Sequence, residues 1–189
     1  MNTDILITSI PDGILVLDTF EKIKKYYSII QFLNFVGRQE DIVKHNFEGY
    51  TTNSFAIFQL SDLLDEVVYL SISKGRFVGY ILSKPFATDN RKTSKYNLAQ
   101  FPEFKKQAFQ EFGINFINVN LTQIYTLPRF RRKNLGKKII SQFILSNKLV
   151  KDLYFFCEQP NDNLLKFFKK FGLKKFEIPY EKYELFSKT

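Results

Sequence analysis

Histidine and cysteine are almost missing from this chain: there is one of each, His45 and Cys157, far apart. A zinc site needs three or four such ligands at close spacing, so no metal centre is expected. A lone cysteine forbids an internal disulfide and fits a reducing compartment. Cys157 ends the apolar run Leu153-Tyr-Phe-Phe-Cys157, which marks a buried, inert thiol rather than a nucleophile. His45 precedes Asn46 and Glu48 in a polar stretch and reads as an exposed structural residue. No Ser-His-Asp arrangement and no Walker loop is present. There is no internal repeat and no low-complexity tract. No apolar run approaches the roughly 18–20 residues that cross a bilayer. The opening Met1-Asn-Thr-Asp4 has no basic segment of the kind that begins a secretory leader. These absences predict a cytoplasmic protein with no membrane partner.

What is abundant is phenylalanine, 22 residues in 189, within a hydrophobic content of 44%. That is enough for one self-sufficient core, and a single domain over 1–189 is the natural reading. The net charge of +9 is placed unevenly. Residues 129–189 hold fifteen Lys/Arg and six Asp/Glu, whereas residues 1–128 hold thirteen of each. A basic face around a cleft concentrates anionic ligands. It would also attract RNA or DNA, and part of it, such as Lys166, Lys169 and Lys170, reads as solvated helix surface.

The pattern along the chain alternates helices and strands. Asp18-Thr-Phe-Glu21 resembles a capping box with Asp18 as N-cap, and Lys22 to Phe35 has apolar residues at helical spacing. Arg38 to His45 suits a second, short helix. Ser54 to Leu60 fits a strand or a buried turn. Glu66–Ser73 and Phe77–Leu82 flank Lys74-Gly75 as a hairpin. Pro85 to Leu98 reads as a polar loop and Pro102 to Phe112 as a helix stopped by Gly113. Ile114 to Leu127 is a long strand whose irregular polarity leaves room for a bulge or splay. A helix over Gly136–Leu149, a strand over Leu153–Cys157, a helix ending on Gly172, and two strands around Pro179 complete the chain.

Chemistry concentrates where the long strand ends: Ile124-Tyr-Thr-Leu-Pro-Arg-Phe-Arg-Arg-Lys-Asn-Leu-Gly136, then Lys137. A strand, a basic turn and a helix start build an anion site, because the first amides of a helix lack partners and its dipole favours negative charge. Arg129, Arg131, Arg132 and Lys133 crowd the entry, which suits a diphosphate. The alternative is a basic helix start with no ligand.

Arg131-Arg-Lys-Asn-Leu-Gly136 resembles the phosphate-binding motif Arg/Gln-x-x-Gly-x-Gly/Ala of the GNAT superfamily of acetyltransferases. Asn134 replaces the first glycine, and asparagine tolerates positive φ. Asn161 to Leu173 resembles the family's next motif, a helix opening on Asn and ending on Gly-Phe. The resemblance covers about Ile114 to Phe186. It implies an α/β (α+β) fold: a mixed, mostly antiparallel central sheet flanked by helices, with splayed fourth and fifth strands. The insertion at 85–113 is unusual for the family. The implied activity is transfer of an acetyl group from acetyl-CoA to an amine, small or macromolecular, by direct attack. The implied cofactor contacts are Ile124, Tyr125 and Thr126 for the pantetheine arm and Arg131, Arg132, Lys133, Asn134, Leu135, Gly136 and Lys137 for the pyrophosphate. Asn161 and Phe168 come from the following helix. Phe168 stands where the family commonly carries a proton-donating Tyr, and the strand offers Asn115, Asn118, Asn120 and Gln123 where a carboxylate base is common. Glu158, Tyr180 and Tyr183 remain as candidate acid or base groups, each with an ordinary structural alternative. The resemblance leaves two outcomes open: an N-acetyltransferase, with aminoacyl-tRNA among the conceivable acceptors, or a silent module of the same fold that binds acyl-CoA, nucleic acid or protein.

Overall fold

A computed structural model describes residues 4–45, 59–85, 110, 115–149, 151, 153–158, 160–176 and 183–188. The expectations for 54–58, 86–98, 102–109 and 111–113 lie outside these residues. The strands are β1 (Gly13–Leu17), β2 (Val67–Ser73), β3 (Arg76–Pro85), β4 (Asn115–Thr126), β5 (Leu153–Glu158), β6 (Leu173–Phe176) and β7 (Tyr183–Lys188). The helices are α1 (Phe20–Lys25), α2 (Tyr27–His45), α3 (Leu135–Ser146) and α4 (Asp162–Phe171). The seven strands form one sheet in the order β1-β2-β3-β4-β5-β7-β6. The pairs β1–β2, β5–β7 and β6–β7 are antiparallel, and β4–β5 is parallel. The mixed, mostly antiparallel sheet with flanking helices matches the expected fold class. Among the described residues, no helix is long and apolar enough to cross a membrane.

Contacts divide the chain into two compact units, 1–82 with 123–143 and 83–122 with 144–189. In the first, the Lys74-Gly75 turn closes the β2–β3 hairpin with φ of 54° and 62°. Two successive left-handed residues make the turn type whose twist suits antiparallel strands. Alternate residues of β2 and β3 then point to one face: Val68, Leu70 and Ile72 with Val78, Tyr80 and Leu82 join Ile23, Ile30 and Leu33 of α1 and α2 in a buried cluster. On the other face of β2, the ring of Tyr69 meets that of Phe143 of α3 edge-on, with centroids 5.9 Å apart.

The helical start differs from the sequence reading in two respects. Thr19, not Asp18, is the N-cap of α1: its side chain accepts from the Lys22 amide at 3.4 Å. Lys22 is thus the third helical residue, so Glu21 cannot complete a capping box. The Asp18 carboxylate instead takes the Lys22 ammonium at 2.6 Å. The helix break falls at Tyr26 rather than between Phe35 and Arg38. Tyr26, with φ −107°, closes α1 with its N–H, and its carbonyl accepts from Ile29 and Ile30 to open α2. Its ring packs edge-on against Phe77, a tertiary contact that helical periodicity does not reveal. From there α2 runs unbroken to His45, through Gly37.

In the second unit, β4 and β5 pair with an irregular step. Phe116 lies opposite Tyr154 and Asn120 opposite Phe156, so β4 uses four residues where β5 uses two. This is the bulge that the uneven polarity of the segment allowed. The last pair is Leu121 with Cys157, and β4 itself runs on to Thr126. Helix α4 begins on Asn161, whose side chain accepts from the Leu164 amide at 2.9 Å, and stops on Gly172 at φ 86°. A left-handed glycine is the standard helix terminator. Phe168 projects into a cluster of rings, 4.7 Å from Phe186 and 6.3 Å from Phe155. Cys157 is buried, as its apolar run implied. At the end of the sheet, β6 leaves Lys174 and Lys175 exposed.

One close approach fixes where β4 ends. The Leu127 amide donates to the Val78 carbonyl at 2.8 Å. A Cβ on the neighbouring Gly79 would sit 2.4 Å from the Tyr125 carbonyl oxygen and 3.1 Å from the Thr126 Cα. We expect Gly79→Ala to push β3 from β4 and to lower stability by about 1–3 kcal/mol, the usual cost of overpacking, measured by urea denaturation.

Candidate functional site

The site predicted from sequence is a chain reversal, and the structure shows what shapes it. After β4, a 3-10 turn spans Pro128–Phe130. The Phe130 amide donates to Leu127 O at 2.9 Å and the Arg131 amide to Pro128 O at 3.1 Å. Phe130 and Leu135 are both in the buried cluster. Between these two anchors, Arg131, Arg132, Lys133 and Asn134 are exposed. The core thus grips the reversal at both ends and presents its middle to solvent.

The backbone in that middle is unusual. Arg132 has φ 60° and Asn134 φ 61°, while Lys133 between them does not share this conformation. Asn134 therefore adopts the left-handed state that made it an acceptable replacement for glycine. Alternation of this kind is the backbone pattern from which anion-binding concavities are built. The first bond of α3 runs from the Lys138 amide to Asn134 O at 3.0 Å. The amides of Leu135, Gly136 and Lys137 precede it and have no partner within the helix. Gly136 is half-buried and Lys137 exposed.

The cations are not equivalent. The Arg129 guanidinium lies 5.1 Å from the centroid of the Phe130 ring, and the Lys133 ammonium lies 5.4 Å from it. Both side chains lean on that ring rather than extending freely. Arg131 turns back. Its Nε donates to Thr126 O at 2.8 Å, and its Nη1 and Nη2 donate to the two carboxylate oxygens of Glu40, each at 2.5 Å. This two-pronged geometry is the strong form of an Arg–carboxylate pair.

Tyr125 completes the corner. Its hydroxyl donates to Glu40 Oε2 at 3.3 Å, and the Arg131 guanidinium lies 5.6 Å from its ring centroid. The ring rests on Gly37 of α2, where a Cβ would come within 3.0 Å of it. Burial, then the charge of Glu40, push the Tyr125 phenol well above its ordinary value of 10.0, against the opposing pull of Arg131. Tyr125 therefore stays neutral and is a poor proton donor. Beside it is a buried polar network: Asn34 Nδ2 donates to Tyr80 OH and Gln123 Oε1, both at 3.1 Å, and Tyr80 OH donates to Gln123 Oε1 at 2.8 Å. Arg38 Nε donates to Asn34 Oδ1 at 3.2 Å. Of the polar β4 residues, Gln123 joins this network.

No family model and no curated protein sequence matches the chain. Among solved structures, the chain is similar to one described as histone acetyltransferase HPA2 and related acetyltransferase from Corynebacterium glutamicum. They share 15% identity over 95% of this chain and 97% of that one, with a TM-score of 0.55. A GNAT-family acetyltransferase from Listeria monocytogenes aligns with 13% identity over 95% and 98% at a TM-score of 0.47. The PaiA N-acetyltransferase from Thermoplasma acidophilum, in complex with coenzyme A, aligns with 16% identity over 94% and 99% at 0.44. The fold is that of the GNAT acetyltransferases.

Within this GNAT fold the remaining predicted site residues are placed as follows. Ile124, Tyr125 and Thr126 are the half-buried last residues of β4. Asn161 is exposed and serves as the N-cap of α4. Phe168 is 0% exposed, so its place is in the ring cluster of the second unit. Glu158 lies on β5 and Tyr183 opens β7. Their side chains, and that of His45, lie outside the described set, as does Tyr180 entirely. Glu40 was missed by sequence reasoning. Nothing in a helical pattern distinguishes it from any other acidic helix residue, because its partner is 91 residues away.

Two outcomes are expected. Because the fold holds the Tyr125 proton more tightly than the unfolded chain does, this group contributes stability below about pH 10 that is lost as pH rises further. Tyr125→Phe should therefore flatten the decline of the melting temperature above pH 10 relative to the native chain. Phe168→Tyr would add a hydroxyl among phenyl rings. It should lower stability by about 1–3 kcal/mol in urea titrations and give no gain in acid catalysis.

Proposed function

We propose that the chain is an acetyl-CoA-dependent N-acetyltransferase. The observation that carries this reading is the reversal from Leu127 to Lys138. It combines two left-handed residues, exposed cations and helix-start amides, with the left-handed Asn134 at the glycine position of the GNAT motif. That donor set fits a pyrophosphate: it offers several N–H groups and no carboxylate of its own.

The amides of Arg132 to Lys137 would hold the diphosphate, aided by Arg132, Lys133 and Lys137. The backbone of Ile124, Tyr125 and Thr126 would align the pantetheine arm. Acetyl-CoA, when bound, supplies an acetyl thioester. The chain's part is to place an amine against it, and such positioning accounts for much of the rate in direct transfer. An N–H at the end of β4 would stabilise charge developing on the carbonyl oxygen. The resemblance also implies a cofactor contact for Asn161, whose side-chain oxygen accepts from the Leu164 amide. No residue is assigned as acid or base, with Glu158, Tyr180 and Tyr183 kept as candidates. A thiolate is a tolerable leaving group, and water can carry the protons. The acceptor is an amine, small or macromolecular. The burial of Phe168 in the place of the usual Tyr favours a second reading, a silent acyl-CoA-binding module.

Calorimetric titration with acetyl-CoA tests the cofactor assignment. We expect micromolar binding, abolished by Gly136→Asp. An aspartate at this helix position suits the dipole and spares the helix, but puts a negative charge in the cradle. Thiol release measured over a panel of amines then separates the enzyme, which releases coenzyme A faster with an acceptor present, from the silent module, which does not.

A further inference from the structure

We infer that Glu40 is a positioning residue for the pyrophosphate cradle, acting through Arg131 and Tyr125. This rests on the cofactor reading above and deepens it. Arg131 opens the motif and was expected to touch the cofactor. In the structure its guanidinium is committed elsewhere, with Nε on the Thr126 carbonyl and both Nη groups on Glu40. One side chain therefore ties three things together: the end of β4, the start of the exposed loop, and helix α2.

The position of Glu40 makes that tie specific. Its carboxylate is 17% exposed, against 38% for the Arg131 side chain. It also takes the Tyr125 hydroxyl. The same α2 face carries Gly37, against which the Tyr125 ring lies. Tyr125 is flanked by the peptide groups assigned to the pantetheine arm, and Arg131 directly precedes the left-handed Arg132. One carboxylate on α2 thus sets the attitude of both halves of the proposed site: the strand end through Tyr125 and the amide loop through Arg131. Phe130 and Leu135 anchor the loop by burial, but burial constrains only its ends. The orientation of the exposed segment between them is set by the directional bonds of Arg131. Holding donors in place before the ligand arrives is what makes them effective.

The experiment is calorimetric titration of coenzyme A into four forms: the native chain, Glu40→Gln, Arg131→Gln and Arg131→Lys. Each single change should weaken binding by about tenfold or more, the scale of one lost charge-assisted contact. The melting temperature is read beside each titration, so that lost affinity in a folded variant is told apart from unfolding. Arg131→Lys keeps the positive charge and loses the two-pronged bond to Glu40, so it should weaken binding as Arg131→Gln does. Affinity that is unchanged or tighter in Glu40→Gln overturns the inference, since Arg131 would then be better used released. Loss in Arg131→Gln with native affinity in Arg131→Lys also overturns it, because Arg131 would then act by its charge as a direct ligand. If Glu40→Gln does not fold by circular dichroism, Glu40→Asp is read in its place; it keeps the charge and shortens the reach, and unaltered affinity in it counts against the inference. A native chain that binds no coenzyme A removes the cofactor reading and this inference with it, whereas native binding with an indifferent Glu40→Gln removes this inference alone.

Discussion

The exposed turn between β4 and α3 depends on burial at its two ends. Phe130 and Leu135 enter the same apolar cluster as the β2–β3 hairpin and the first two helices. With both anchors fixed, the four residues between them must reverse the chain in a short span. That demand is met by two left-handed residues, Arg132 and Asn134. Neither is glycine, and each pays a conformational cost that the anchored ends sustain. The polar surface of the turn is thus a consequence of apolar packing on its flanks. A chain with the same basic residues and without Phe130 and Leu135 would have no reason to hold this shape.

Much of this was legible because the signals are local. Asn134 tolerates positive φ, Gly172 suits a helix stop and Lys74-Gly75 a hairpin turn, and each adopts the left-handed backbone state that this implies. Asn161 opens its helix, as the motif implied, and does so through a capping bond. The long β4 strand and its irregularity also followed from polarity alone. Long-range contacts were not legible. The α1–α2 break at Tyr26 comes with packing against Phe77. The engagement of Arg131 by Glu40 joins residues that no periodicity links. The network of Asn34, Tyr80 and Gln123 draws on three separate elements, and each of those residues reads as unremarkable polarity in its own segment.

Phe168 shows how one position can answer two questions. By motif it is the missing proton donor. By packing it is the centre of a ring cluster with Phe155 and Phe186. The two facts agree: a chain that has filled this place with an apolar ring has closed it to the chemistry a phenol would perform there.

Among the described residues, strand β6 is the last of the sheet, and its two middle residues, Lys174 and Lys175, are both exposed. An outermost strand offers its backbone edge to any extended segment that approaches. Consecutive residues of a strand point to opposite faces, so a lysine stands on each face of this edge, and charge so placed disfavours pairing with a further strand.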